Sequence, residues 1–421
     1  MTTIDGFDFF PLTFDERGGP VSRAEFDAFR KRADTATDAV FIAHGFRNDV
    51  NQATRLYTTF LTTLRANLER PEFHAVAGRE IIIGGILWPS KPFRETFGDA
   101  ALDGTRGLLD EASMMTAVRA RLEKLQEEDA TPPQRAKLDK AIELLPALEA
   151  NPKAQDEFVA LVLSLLDHST LDQTEGLPQI RRRKGSDVLA RLGAAPAGTR
   201  GIGDVFGGIA GAVGQFLNLT TWYVMKDRSG TVGATGVAEA VRALHASHAR
   251  VRIHLVGHSL GGRLIAGCAK ALCVSPKLRP DSLVLLEGAF SHFGFSPDNG
   301  HGTPGFFRDV VAQRLVKGPF LATFSAEDAV VGKAYSIMSR LAGDSTREIG
   351  DASDEFGGIG RNGALKTPEA ATQRLHAAGT PYEFAPEVIN NLDGSGGLIK
   401  DHGDVANAAV TYAFASAMAR T

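Results

Sequence analysis

Val251-Arg252-Ile253-His254-Leu255-Val256-Gly257-His258-Ser259-Leu260-Gly261-Gly262 is the stretch on which the fold turns. Its first six residues are rich in β-branched and apolar side chains, as in a short buried strand. Leu264, Ile265, Cys268, Ala269 and Leu272 follow at the spacing of one helix face. Between the two, Gly257 and Gly261 stand two residues before and two after Ser259. A serine carried on so sharp a strand-to-helix turn takes a strained backbone, and glycines at these two positions avoid collision. The pattern G-x-S-x-G alone arises by chance in roughly one chain in four or five of this composition, so it is the strand before and the helix after that make it informative. Ser259 is therefore read as a nucleophile; the competing reading is a glycine-rich turn with a capping serine.

Outward from this turn, the apolar runs Ala39 to Ala43, Ile81 to Leu87, Leu283 to Leu286 and Phe320 to Phe324 alternate with helical stretches. That alternation predicts an α/β protein with a mostly parallel sheet. Asn48 and Asp49 are good helix N-caps ahead of Leu56, Phe60, Leu61 and Leu64, which gives a second strand-turn-helix unit. Between about residues 91 and 228 the strands stop. Leu108, Ala112, Met115, Val118, Leu122 and Leu125 form one apolar stripe, Leu138, Ile142 and Leu145 a second, and Phe158, Leu161, Val162, Leu165 and Leu166 a third. The expected organisation is a catalytic domain over 1–90 and 229–421 with a large helical cap inserted over 91–228.

Val205 to Val224 is apolar and glycine-rich, with Gly207 and Gly211 in G-x-x-x-G spacing, but Gln215, Asn218, Thr220 and Thr221 interrupt it. A buried helix close to the sheet is favoured over a mobile lid touching lipid, and both over a membrane span. Arg181 to Lys184 reads as a solvated basic loop with a lesser possibility of meeting anionic lipid, and Gly343 to Ala385 as an elaborated loop.

A serine hydroxyl needs a base, and the base a carboxylate, in the chain order Ser, acid, His for this kind of turn. Of the histidines after Ser259, His402 stands just before the final helical stretch and is the expected base; His376 falls in a helical pattern, and His292 and His301 are candidates for lining a pocket. Asp328, in the loop after the Phe320 to Phe324 strand, is the expected acid, with adjacent Glu327 solvated and Glu287 the outside alternative. The oxyanion of the tetrahedral intermediate needs two donors, expected from the Leu260 and Phe46 backbone N–H groups. Gly45 lets the backbone approach the substrate, His44 braces the loop, and Gly45, His258 and Trp88 are candidate pocket residues.

The Gly257-His258-Ser259-Leu260-Gly261 turn, the His44-Gly45-Phe46 loop, Asp328 and the terminal His402 together resemble the α/β-hydrolase superfamily. The likeness covers roughly 39 to 90 and 229 to 420. His44-Gly45-Phe46 with Leu87-Trp88-Pro89-Ser90 is similar to a bacterial lipase- or esterase-like branch. The resemblance implies an eight-stranded sheet and hydrolysis of esters, thioesters or amides through an acyl-serine, with no metal or organic cofactor.

The 421 residues include 45 glycines, 43% hydrophobic and 23% charged residues, which excludes a disordered, collagenous or coiled-coil chain. A net charge of −4, from 46 basic and 50 acidic residues, gives no field for a phosphate backbone, so nucleic acid is not expected as a partner. Cys268 and Cys273, five apart on a helix, diverge by about 140° and are expected to be unpaired buried thiols. The acidic N-terminal stretch lacks a signal-peptide pattern, which predicts a cytoplasmic protein. The expected function is a serine esterase with a Ser259-His402-Asp328 triad acting on esters with an apolar acyl group. Thioesterase, acyltransferase or peptidase chemistry on the same triad, and a non-catalytic binding protein of the same fold, are the alternatives.

Overall fold

Strands β3 (Asp38–Ala43), β4 (Ile81–Leu87), β5 (Arg252–His258), β6 (Ser282–Leu286) and β7 (Phe320–Phe324) carry the five apolar runs, and in β3, β4 and β6 every residue is buried. Burial on both faces is what turns a strand into an unbroken apolar run instead of an alternating one. The computed structural model describes residues 2–91, 111–128, 130–166, 173–193, 208–274, 277–342 and 351–421. Leu108 and Gly207, and with them the start of one stripe and of the G-x-x-x-G spacing, lie outside these residues.

Four further strands, β1 (Thr2–Ile4), β2 (Phe7–Thr13), β8 (Ala370–Arg374) and β9 (Ile389–Asp393), bring the sheet to nine strands against the eight expected. Their order is β1-β2-β4-β3-β5-β6-β7-β9-β8, and only β1 runs antiparallel to its neighbour. Pro11 sits inside β2 without cost to the ladder: β1 pairs only with Phe7, Asp8 and Phe9, so Pro11 has no partner there to receive the N–H it lacks.

Alternating residues feed two cores. Val40 and Ile42 of β3 face the helices Val50–Leu68 and Ala408–Met418, whereas Ala39, Phe41 and Ala43 face the other side, with helix Leu260–Ala271 and the helical segment. Asp49 caps helix Val50–Leu68 reciprocally: its Oδ1 accepts from the Gln52 N–H at 2.8 Å, and its own N–H donates to Gln52 Oε1 at 3.0 Å.

The region between β4 and β5 is helical throughout its described parts: Glu111–Glu128, Pro132–Leu144, Pro152–Leu163, Leu177–Arg181, Gly185–Gly193 and Ile209–Val232. Leu122, Leu138, Leu145, Phe158 and Val162 are buried in the same apolar cluster as the sheet residues, so the stripes are packing surface. The expected border at residue 228 falls inside a helix. Ile209–Val232 passes through a π-helical turn, Gly233–Val237, into helix Ala238–Ser247 without a break. A Cβ at Gly233 would collide with the Leu264 carbonyl, so the turn lies where this helix meets helix Leu260–Ala271 backbone to backbone. No helix of the described residues is long and apolar enough to cross a membrane.

One ion pair lies deep at this junction. Lys226 Nζ, fully buried, donates to the Glu175 carboxylate and to the Tyr335 hydroxyl at 2.7 Å. Glu175 also accepts from Tyr335 Oη at 2.9 Å and from the Ser291 N–H at 3.2 Å.

Three readings change. Arg181 to Lys184 is not a solvated loop: Arg181 donates to the Leu163 and Leu166 carbonyls, each at 3.1 Å, and Arg183 pairs with Asp187 at 3.1 Å, which leaves only Arg182 and Lys184 exposed. The Arg181 guanidinium thus meets carbonyls at the C-terminal end of helix Pro152–Leu163. Within Gly343 to Ala385, residues 343–350 lie outside the described ones, and the remainder holds helix Ile359–Asn362 and strand β8. His376 is in the loop after β8, stacked on Tyr382 at 4.5 Å, and not in a helix. Both cysteines are unpaired as expected, but only Cys268 is buried; Cys273, past the end of helix Leu260–Ala271, is half-buried.

Candidate active site

Ser259 follows β5 and caps helix Leu260–Ala271 with φ 58° and ψ −124°, a region costing about 1–3 kcal/mol for a residue other than glycine. Its neighbours hold it there. The Ser259 N–H donates to the Leu286 carbonyl at 3.0 Å, and its own carbonyl accepts from Gly262 and Ala289, each at 3.0 Å. A Cβ at Gly257 would strike the Gly261 carbonyl, and one at Gly261 the Ala43 and His44 carbonyls. The spacing noted in the sequence is thus a steric requirement of this turn.

The loop after β3 lies against the serine. A Cβ on Gly45 would stand 2.7 Å from Ser259 Cβ and 3.2 Å from both Ser259 Oγ and His258 Nδ1. His44 braces this loop. Burial pushes its imidazole down to about 4, so it is neutral at pH 7. Nδ1 donates to the Gly45 carbonyl at 3.0 Å, and Nε2 accepts from the Trp88 N–H at 3.4 Å. The Trp88 indole, 4% exposed, stacks on His44 and donates to its carbonyl at 3.0 Å. Trp88 therefore supports the loop from beneath. Tyr57, not singled out from the sequence, completes the brace with Asn48 and Ser90, which the sequence offered in other roles. The Tyr57 hydroxyl accepts from the His44 N–H at 2.9 Å and donates to the Ile86 carbonyl at 2.5 Å. Asn48 Nδ2 donates to the Gly45 carbonyl at 3.2 Å, and Ser90 Oγ to the Asn48 carbonyl at 2.9 Å.

The two amides expected as oxyanion donors are unclaimed among the described residues. Leu260 opens helix Leu260–Ala271, where an N–H has no intrahelical acceptor. The Phe46 N–H donates to no other group among the described residues. The Phe46 ring meets Trp222 of helix Ile209–Val232 edge to face at 5.7 Å, so the helical segment reaches the loop.

His402 stands in the loop between β9 and helix Ala408–Met418, and its Nδ1 donates to Asp328 Oδ2 at 2.8 Å. Asp328 is fully buried, and its Oδ1 accepts from the Val331 N–H at 2.9 Å. Glu327 is exposed and turned away, accepting from Ser325 Oγ at 2.6 Å and the Gly396 N–H at 3.0 Å; the Ser325 hydrogen bond leads in holding its carboxyl below the usual value.

His258 joins the two halves. Its ring lies 4.8 Å from that of His402, and its Nε2 donates to the His402 carbonyl at 2.7 Å. Burial, then the His402 charge, pushes the His258 imidazole down to about 3. Its role is to tie the His402 loop to the nucleophile turn more than to form an open pocket wall. Ser259 Oγ and His402 Nε2 make no hydrogen bond with each other among the described residues; such contacts are often long before substrate binds.

Glu287 follows β6 with φ 46° and a fully buried side chain, its Oε2 3.9 Å from His402 Nδ1. Glu287, Asp328 and His402 each place one atom within 4.8 Å of the others. Burial, then the Asp328 charge, pushes the Glu287 carboxyl up to about 10, so it is protonated at neutral pH. His292 is buried against Asn362 at 3.1 Å, and His301 pairs with Glu355 at 2.8 Å; neither joins this cluster.

A second Ser-His-Asp array occupies the other ends of the strands. Ser282 Oγ lies 2.8 Å from His254 Nδ1, and His254 Nε2 lies 3.0 Å from Asp38 Oδ1. All three are 0% exposed, so no substrate reaches them, and the array ties β3, β5 and β6 together. Access and backbone geometry, not residue identity, separate the two arrays. Comparison with family models, with curated proteins and with solved structures returns no match for this chain.

Proposed function

We propose that the protein is a serine hydrolase of carboxylic esters with an α/β-hydrolase arrangement, its helices over 91–228 acting as a cap. One observation carries the reading: a strained Ser259 at the end of a central parallel strand, with the Gly45 backbone against it and the His402–Asp328 pair tied to it through His258. Ser259 Oγ attacks the ester carbonyl while His402 Nε2 takes its proton, and Asp328 holds the Nδ1–H and steadies the imidazolium. The Phe46 and Leu260 N–H groups receive the developing oxyanion, each contributing about 3 kcal/mol. His402 then protonates the departing alkoxide, and water, activated by the same imidazole, releases the acid. The Phe46 and Trp222 rings beside the loop favour an apolar acyl group.

A fluorophosphonate probe is expected to label the wild-type chain and to spare Ser259→Ala; equal labelling of both overturns the proposal. Turnover of model esters from acetyl to palmitoyl, with and without an interface, measures the acyl preference. Gly45→Ala is a milder test. Its methyl group has to displace the loop from Ser259, so labelling is expected to slow at least about tenfold while the circular dichroism spectrum is retained. Wild-type labelling in that variant contradicts the role given to the loop.

A further inference from the structure

Beyond this reading, and resting on it, the carboxyl of Glu287 is left without a task. Both its oxygens are buried and accept no hydrogen bond, although Asp328 lies within hydrogen-bonding reach and His402 Nδ1 is 3.9 Å away. Two ionised carboxylates in contact have no donor between them, and a buried ion facing another of like charge is strongly unfavourable. A single proton resolves both problems. It gives the pair its donor and leaves one negative charge behind the imidazole.

We propose that Glu287 is a positioning residue for the acid: it keeps a proton and donates it to Asp328, so that the two carboxyls together present one charge to His402 Nδ1. The backbone is committed to this placement. Glu287 holds φ 46°, its N–H donates to Thr323 Oγ1 at 3.2 Å, and a Cβ at Gly360 would strike the Glu287 backbone. The acidic groups facing it agree: Asp328 comes from the loop after β7, and Asp401 and Asp404 from the loop after β9, which also brings His402 Nδ1 to 3.9 Å. The nearby cation, Arg361, spends its guanidinium on the Ala326 and Asp328 carbonyls at 2.6 and 3.2 Å.

The function follows from the donor. An aspartate that accepts from both the Val331 N–H and Glu287 cannot rotate away from His402, and the imidazole keeps the tautomer with its proton on Nδ1. In Asp328→Asn the like charge that reinforces burial in keeping Glu287 protonated is gone, so its carboxyl ionises more readily and becomes a reserve acceptor for His402.

The test uses the full chain. The infrared spectrum in deuterated buffer at pH 7 is expected to show a protonated-carboxyl band that Glu287→Gln removes and Asp328→Asn weakens. A second readout is linkage. The unfolded chain releases this proton above its ordinary value of 4.5, and the folded chain holds it to about 10. The contribution to stability is therefore complete below the first value and lost as pH rises across that window. The denaturation midpoint of the wild type is accordingly expected to fall relative to Glu287→Gln as pH rises. Fluorophosphonate labelling should slow about ten- to a hundredfold in Glu287→Leu, which has no donor, with Glu287→Gln recovering most of that loss. Asp328→Asn should label faster than Asp328→Asn/Glu287→Gln. A missing band, or a band and a pH slope that Glu287→Gln leaves unchanged, overturns the proposal even if Glu287→Leu does not fold. Failure of the hydrolase reading looks different: the band is present and no variant, nor the wild type, is labelled.

Discussion

His402→Ala is expected to lower kcat/KM for a short nitrophenyl ester by about ten-thousandfold to a millionfold, with the fold intact. In the proposed mechanism the imidazole serves both half-reactions, first as base toward Ser259 and then as acid toward the leaving alkoxide, so its loss has no partial substitute within the site. The residual rate would come from the two N–H donors and from binding, which the substitution leaves in place. Steady-state kinetics beside an active-site titration of the wild type measures the effect. A loss smaller than about tenfold contradicts the assignment of His402 as base. His44 offers no rescue. Its two nitrogens are occupied by the Gly45 carbonyl and the Trp88 N–H, and burial keeps it neutral.

The largest effect on stability belongs to Lys226→Ala, expected to cost about 3–5 kcal/mol. Lys226 is fully buried and the Glu175 side chain is 5% exposed, so removing the ammonium strands a carboxylate whose remaining donors among the described residues are the Tyr335 hydroxyl and the Ser291 N–H. The double variant Lys226→Met/Glu175→Leu should recover much of the loss, because the charge left alone dominates the cost, not the missing pair. Urea denaturation of the single and double variants checks both statements. A single-variant loss below about 1 kcal/mol would mean that water reaches Glu175.

The interior strands and the nucleophile turn were legible because each announces itself locally. A strand buried on both faces has to be apolar at every position, and the collision of a Cβ at Gly257 with the Gly261 carbonyl forces a glycine that can be seen in the chain. The outer strands were not legible. Strand β8 is an edge with little burial, and β9 contains Asn390 and Asn391, buried because their amides serve the Ala385 and Ala364 loops. Nothing in Ile389-Asn390-Asn391 carries a period that marks a strand. At the site, Asp328 and His402 could be placed by chain order, and they meet at 2.8 Å. The partnership of Glu287 with Asp328 could not, since it depends on the ends of β6 and β7 lying side by side. The roles of Tyr57 and Trp222 escaped for the same reason: their hydrogen bonds and ring contacts join segments well separated in the chain.

The unbroken helix from Ile209 to Ser247 sets a mechanical condition on the molecule. Trp222 touches the loop bearing Phe46, and Gly233, about 16 Å further along the axis, rests on the backbone of the helix that starts at Leu260. With no joint between them, the two contacts behave as opposite ends of a lever. Under the proposed function, a tilt that opens room beside Phe46 also presses on the helix whose first amide is assigned to the oxyanion, which couples admission of substrate to alignment of the reacting groups.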